Sequence, residues 1–294
     1  MDRRLESNKH VGVLLDRFRV DFGYDKPKGI VAGFVSVSEF SESCEIIANL
    51  AYLLASRSAT VCAVDFKVFY PNLVDWFGGI SADSKGEGLI RLLNSEKTDV
   101  RHVARKTDDK NVFLVSPSPN DDIEDYLSFS IDDVSRIISV LKGVFDVVLI
   151  DIPNNPALEF CLGAMMQCHK GFFIASERID APRNIQKLLE FAMKITNNAE
   201  SFQNIILSHQ QSLVYDERAL TEPIKRTGKN SLGLRIAARI PFIKNAVQCA
   251  LDGKVFIRDG SYINKRVMKE GIHFTDEMTS IADIIWGGPG IADA

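Results

Sequence analysis

The chain has 294 residues, a formal net charge of −4, and 46% hydrophobic against 25% charged residues. Those proportions are ordinary for a globular protein. The mild acidity argues against a surface that holds nucleic acid by charge alone, and no apolar run approaches the ~18 residues a membrane span needs. No secretory apolar stretch opens the chain, because Met1 to Lys28 is charged throughout. The five cysteines, Cys44, Cys62, Cys161, Cys168 and Cys249, are odd in number and lie in apolar surroundings. They read as reduced, mostly buried thiols of a cytoplasm.

In chain order, residues 1–28 read as an amphipathic arm, with Val11, Leu14, Leu15 and Phe18 on one helical face and Pro27 closing the segment. Ile30 to Val37 is a short apolar, β-branched run and predicts a buried strand. Ile46, Ile47, Leu50, Leu53 and Leu54 then recur at helical spacing. Ala59 to Asp65 is a second strand, Phe66 to Phe77 a loop with a short turn, and Gly88 to Asn94 a short helix. Asn111 to Val115 is a strand, and Asp132 to Leu141 a helix with Val134, Ile137, Ile138 and Leu141 on one face. Asp146 to Ile150 and Gly171 to Ala175 are apolar strands, and Asn184 to Lys194 is a helix. Asn204 to Leu207 and Ile236 to Pro241 are strands, and Val267 to Gly271 and Thr275 to Ile285 predict two terminal helices. Nearly continuous apolar strands alternating with helices predict one doubly wound, mostly parallel α/β sheet covered on both faces. Its first strand should be central and lead into the loop Ser38 to Cys44. The expected organisation is an arm over 1–28, one α/β domain over 29–288 and a tail over 289–294.

The strand, turn and helix from Gly29 to Leu54 form the frame of a P-loop. In such a loop glycines let backbone N–H groups approach phosphate, and a lysine reaches the β- and γ-phosphates. The stretch Ala48-Asn49-Leu50-Ala51 resembles the Ala-Asn-Leu-Ala that follows the loop in the MinD/ParA family of P-loop ATPases. Counting back, the family's Lys-Gly-Gly-X-Gly-Lys-Thr falls on Ser38, Glu39, Phe40, Ser41, Glu42, Ser43 and Cys44. Both lysines are serine here, the glycines are Glu39, Phe40 and Glu42, and the magnesium-binding hydroxyl is a thiol. Val64-Asp65-Phe66-Lys67-Val68-Phe69-Tyr70-Pro71-Asn72-Leu73 resembles the family's switch I, with Lys67 at its second aspartate. Phe145 to Pro153 resembles its Walker B strand and switch II, with Asp151 where a carboxylate contacts magnesium through water. Ser208 falls where an asparagine binds adenine. Further on, Ile240-Pro241-Phe242-Ile243 and Ala250 to Lys254 continue the likeness, Ile243 standing for an aspartate.

The resemblance implies the P-loop NTPase-like fold over nearly the whole chain. It also implies a vestigial nucleotide site at Ser38 to Cys44, Asp65, Lys67, Asp151 and Ser208. With both loop lysines absent, no cation is expected to stabilise a transferring phosphate. The expectation is therefore no catalytic residues, no metal, no obligatory cofactor, and ATP·Mg²⁺ at most as a weak, unhydrolysed ligand. The alternative role for each aspartate is to close a strand end. Glu42 and Glu45, with Ser41 or Ser43 as N-cap, are expected to satisfy the vacated helix start. The eroded loop, the polar loop Asp121 to Asp125 and the Asp-Ile-Pro of switch II lean toward the TadZ/CpaE branch. That branch implies a cytoplasmic scaffold for protein partners of a Tad-type pilus machinery or cell pole, reaching the inner membrane through them. The alternative is a MinD/ParA-type nucleotide-binding switch with an atypical loop. Any self-association should be independent of nucleotide, because the lysine that crosses the family's interface is Ser38.

Other features have plainer readings. His209 has no partner at ligand spacing, and Cys161 and Cys168 match no zinc pattern. Arg218, Lys225, Arg226, Lys229, Arg235 and Arg239 are interleaved with Asp216, Glu217 and Glu222, which suits a solvated face better than a DNA-binding one. Met278, Ile281, Ile284, Ile285 and Trp286 lack flanking Lys or Arg and read as core packing rather than a membrane-surface helix.

Overall fold

The computed structural model describes residues 29–37, 43–78, 88–94, 100–154, 158–176, 180–195, 199–208, 234–243, 246–259 and 265–287. The arm 1–28, loop residues Ser38 to Glu42, His209, the segment from Asp216 to Lys229 and the tail 289–294 lie outside these.

In chain order the elements are β1 (Ile30–Ser36), α1 (Ser43–Ser56), β2 (Val61–Asp65), α2 (Leu73–Trp76), α3 (Leu89–Asn94) and α4 (Val100–Val103). There follow β3 (Arg105–Lys106), β4 (Val112–Val115), α5 (Ile131–Val144), β5 (Val147–Ile152), α6 (Leu158–Gln167) and β6 (Lys170–Ala175). The rest are α7 (Ala181–Ile195), β7 (Asn204–Ser208), β8 (Arg235–Ile240), α8 (Ala246–Leu251), α9 (Phe256–Asp259) and α10 (Lys265–Trp286). Among the described residues eight strands form one sheet in the order β3-β4-β2-β5-β1-β6-β7-β8. β3 pairs antiparallel with β4 at one edge, and every other pairing is parallel. β1 lies between β5 and β6, so the first strand is central, as predicted.

The strands look continuously apolar because both faces are covered. Along β1, Val31 and Val35 face one core with α5 and α6, while Ala32 and Phe34 face the other with α1 and α10. Phe34 stacks on its register partner Phe172 at 5.0 Å. Gly33 is required in this strand, because a Cβ there would collide with Cys168 Sγ and Ile152 Cδ1.

Four departures from the sequence reading stand out. The two predicted terminal helices are one, Lys265–Trp286. Gly271 sits inside it, and Thr275 Oγ1 donates to the Gly271 carbonyl at 2.8 Å, a bond made across one helical turn. Helix α6 was not predicted, because its sequence has only Glu159 and Gln167 among apolar residues and so carries no period. The edge strand β3 has two residues, too few for alternation to show. The short helices α8 and α9 likewise carry no readable period.

Asn49 explains part of the likeness around α1. Its side chain accepts the Ile257 N–H at 2.9 Å and donates to the Glu45 carbonyl at 2.8 Å, joining α1 to α9. A turn later Tyr52 donates to Asp108 at 2.7 Å, under the guanidinium of Arg258, 4.8 Å from its ring centre. Met278, Ile281, Ile285 and Trp286 are buried against the α1 face of the sheet, so α10 is core.

Candidate functional site

Parallel strands deliver their C-terminal ends to one edge of the sheet, and loops there collect residues from distant parts of the chain. Register alone places Asp65 beside Asp151, at the ends of β2 and β5. The start of α1 faces them from the neighbouring β1 crossover. Both aspartates are fully buried.

Asp65 closes a turn. Its Oδ1 accepts the Lys67 N–H at 2.9 Å, and its Oδ2 accepts the N–H groups of Asn72 and Leu73 at 3.1 and 3.0 Å. The plainer reading therefore holds for this residue: it fixes the path of the loop from Phe66 to Leu73. Burial and the nearby Asp151 push its carboxyl up to about 7, against the N–H groups of Leu73 and Lys67 and the Lys67 ammonium.

The turn delivers Lys67 to Asp151. Lys67 Nζ lies 2.8 Å from Asp151 Oδ1 and donates to Ser43 Oγ at 2.8 Å, while Ser43 Oγ donates to Asp151 Oδ1 at 2.8 Å. The three groups form a closed triangle, with the lysine side chain 13% exposed. Burial works most strongly against the Lys67 charge, but the surrounding acidic groups, Asp151 foremost, together hold the amine above the ordinary lysine value. The Cys44 thiol lies 3.2 Å from Asp151 Oδ2 and 2.8 Å from Asn72 Oδ1, so its single proton can serve either oxygen. Burial, and then the charge of Asp151, push this thiol well above the usual cysteine range, so it stays protonated.

The structure adds a cation that the sequence reading did not place at this carboxylate. Lys67, which the resemblance sets at a switch aspartate, supplies an ammonium that pairs with the Asp151 carboxylate. The signal was a lysine two residues beyond a strand-end aspartate, in a stretch otherwise apolar to Tyr70. The helix start is described only from Ser43 onward. Ser43 is the first residue of α1, and its hydroxyl bonds Asp151 and Lys67. Glu45 is buried in the first turn, and Ser38, Glu39, Phe40, Ser41 and Glu42 fall outside the described residues.

Other groups hold the exit of β1. Asn154 donates to the Ser36 carbonyl at 2.7 Å, and Asn184 to the Val37 carbonyl at 3.0 Å. Sequence reasoning missed both, since neither sits in a motif. Ser208 ends β7, three strand spacings from Asp151, or roughly 14 Å. It is not brought to the Lys67 cluster. Its hydroxyl is buried and, among the described residues, has no hydrogen-bond partner. Among the described residues no group of three or more His, Cys, Asp and Glu side chains could hold a metal ion. Nor is any described helix long and apolar enough to cross a membrane. The four cysteines Cys44, Cys62, Cys161 and Cys168 are buried and Cys249 is partly so, all as free thiols.

This central parallel sheet, with its helical layers and its site at the β1, β2 and β5 ends, has the MinD/ParA-type P-loop NTPase fold. Solved structures sharing it include a ParA family ATPase from Chlorobium tepidum, with TM-score 0.68 and 18% identity over 86% of this chain and 98% of that one. Another is the cell division ATPase MinD of Pyrococcus furiosus, with TM-score 0.67 and 19% identity over 87% and 99%. A third is the MinD protein of Pyrococcus horikoshii complexed with Mg-ADP, with TM-score 0.66 and 17% identity over 87% and 95%. No protein-family model matches the chain, and no curated protein matches it.

Among the described residues, the side chains around Asp151 do not fit a magnesium ion. Asp151 Oδ1 already carries the ammonium and the Ser43 hydroxyl. The group beside Oδ2 is a protonated thiol, a poor ligand for a hard cation that prefers oxygen.

Proposed function

We propose that this chain is a non-catalytic relative of the MinD/ParA ATPases, working as a localisation or assembly scaffold for protein partners. The observation that carries this reading is the Lys67 ammonium on Asp151 and Ser43. A buried carboxylate in this fold needs a positive partner, and here the chain supplies its own. The loop that carries Lys67 and the strand end that carries Asp151 are thereby held together without a ligand. A scaffold of this kind presents one constant surface, and its self-association does not depend on nucleotide. The TadZ/CpaE-like role in a pilus machinery is the branch we favour, on the eroded loop and the Asp151-Ile152-Pro153 sequence. Membrane contact would come through partners, and nucleic acid is not an expected ligand.

Calorimetric titration of the full chain with ATP·Mg²⁺ tests this. The expected result is no saturable heat up to millimolar nucleotide and no phosphate release. Binding tighter than about 100 μM, or turnover abolished by Asp151→Ala, would overturn it. Ser208 favours a second reading, a nucleotide-binding switch with an atypical loop. Its hydroxyl, unpartnered among the described residues, stands where the family's adenine contact falls, so a base could supply the missing partner. Saturable binding of adenosine without magnesium would favour that reading.

A further inference from the structure

The central strand β1 starts on two unlike neighbours. On one side the Ile30 N–H donates to the Asp146 carbonyl at the foot of β5, at 3.0 Å. Backbone groups of a strand alternate in direction, so the next amide, Val31, faces β6. There the His169 N–H donates to the Val31 carbonyl at 2.9 Å. The carbonyl that should answer the Val31 N–H lies two residues back along that ladder, at Gln167. Gln167 is still the last residue of α6 and cannot supply it. The imidazole of His169 does so instead: the Val31 N–H donates to His169 Nδ1 at 2.9 Å. One residue thus makes both bonds of the first β1–β6 rung, one from its backbone and one from its ring. Val31 is fully buried, so its N–H has no solvent to turn to if the ring withdraws.

The bond sets the state of the ring. Nδ1 accepts only when it carries no proton, so the imidazole is neutral with its hydrogen on Nε2. A protonated imidazole donates at both nitrogens and would set an N–H against the Val31 N–H. His169 as a whole is exposed, so a proton reaches it without unfolding. The charges that act on the ring are Lys142, in the last turn of α5, and Lys170, the first residue of β6. The last turn of α5 packs here, the Lys142 carbonyl abutting Gly29. From the end of α6 come the neutral Gln167 and Cys168, whose thiol donates to the Ala164 carbonyl at 3.2 Å. At the foot of β5 the Asp146 carboxylate is turned to Thr60, accepting its N–H and its hydroxyl at 2.8 Å each. Loss of hydration, and then the two lysines, hold the imidazole below the ordinary histidine value.

We propose that His169 is a proton-sensitive clasp on the central strand. In its neutral form the ring ties β1 to the turn between α6 and β6. A proton on Nδ1 breaks that tie, frees the Val31 amide and loosens the foot of β1. Folding favours the neutral ring, so the clasp contributes fully above the ordinary histidine value of 6.5 and is lost as pH falls below it toward the lower folded value. The clasp lies at the opposite end of the sheet from the Lys67 cluster and does not depend on whether nucleotide binds.

Heteronuclear NMR of the labelled full chain tests this, through the ring nitrogens of His169 and the exchange of single amides. At pH 7.5 the ring is expected to carry its hydrogen on Nε2. Protection of the Val31 amide, corrected for the intrinsic rate at each pH, should fall about tenfold or more between pH 7.5 and 5.5. The amides of Ala63 and Phe173, in neighbouring parts of the sheet, should stay protected. His169→Asn places an oxygen acceptor near the Nδ1 position but does not titrate, so Val31 should be protected alike at both pH values. His169→Leu removes the acceptor, and Val31 should be weakly protected at both. A ring with its hydrogen on Nδ1 at pH 7.5 would overturn the proposal. So would Val31 protection in the parent chain that does not change with pH, or an equal fall in His169→Asn. A fall shared equally by Ala63 and Phe173 would also overturn it, since the loss would then be global.

Discussion

At the ends of β2 and β5 the buried polar atoms answer one another: Asp151 holds Lys67 and Ser43, and Asp65 holds three backbone N–H groups. At the end of β7 the hydroxyl of Ser208 is buried with no partner among the described residues. Both regions fall where the resemblance places a nucleotide, one on the phosphate side and one on the base side. Their difference follows from the size of the penalty. A fully buried carboxylate left without a positive partner costs about 3–5 kcal/mol, a large share of the ~5–15 kcal/mol that keeps a domain folded. A buried hydroxyl without a hydrogen bond costs only about 1–3 kcal/mol. The first defect had to be repaired, and Lys67 repairs it. The second could be left.

The largest expected effect tests that asymmetry directly. Lys67→Ala should lower unfolding free energy by about 3–5 kcal/mol, read as a fall in the urea midpoint at constant slope. The double variant Lys67→Met/Asp151→Leu should recover most of the loss, because a buried pair replaced by apolar groups is often neutral. A loss below about 1 kcal/mol, the scale of a solvated surface pair, would mean that the ammonium does not sit on Asp151.

Next in size is Ser43→Ala, which removes a hydroxyl bonded to both charged groups. A hydrogen bond to a charge contributes about 1.5–3 kcal/mol, so the same measurement should show a loss in that range. If Lys67→Ala is already present, Ser43→Ala should cost less, since part of its role has gone. Additive losses would contradict the closed triangle.

On the base side the sign reverses. Ser208→Ala should leave stability unchanged or raise it by about 1 kcal/mol, because it removes an unsatisfied polar atom. A clear loss would show that the hydroxyl has a partner and that the two sides are alike.

A separate test of the phosphate side is the pH dependence. The Asp65 carboxyl is pushed up to about 7 from an ordinary 3.8, so folding favours its protonated form. Its contribution is complete below pH 3.8 and lost as pH rises through about 7. Asp65→Asn should flatten that part of the stability profile, measured as denaturation midpoints between pH 4 and 8. An identical slope in the variant would place the titration elsewhere.

Much of this was legible before any coordinates. Apolar runs such as Ile30 to Val37, set between amphipathic helices, need both faces covered, and that requirement alone selects a parallel sheet. The substitutions from Ser38 to Cys44 were equally plain, since each residue type lacks a chemical property the phosphate loop needs. What failed were segments without a period. Helix α6 has only Glu159 and Gln167 among apolar residues and so shows no period, β3 is two residues long, and Gly271 suggested a break that α10 passes through.

By itself, then, the sequence determined the order of elements, the covered sheet and the erosion of the loop, because these depend on local pattern and residue chemistry. Only the tertiary structure decided what Lys67 does. It lies far along the chain from Asp151, and no spacing rule joins them. The pairing of β2 with β5 brings Asp65 alongside Asp151, and the turn held by Asp65 swings the Lys67 amine onto its neighbour's carboxylate. A lysine read alone is a missing acid; set 2.8 Å from a buried carboxylate, it is that carboxylate's counter-charge.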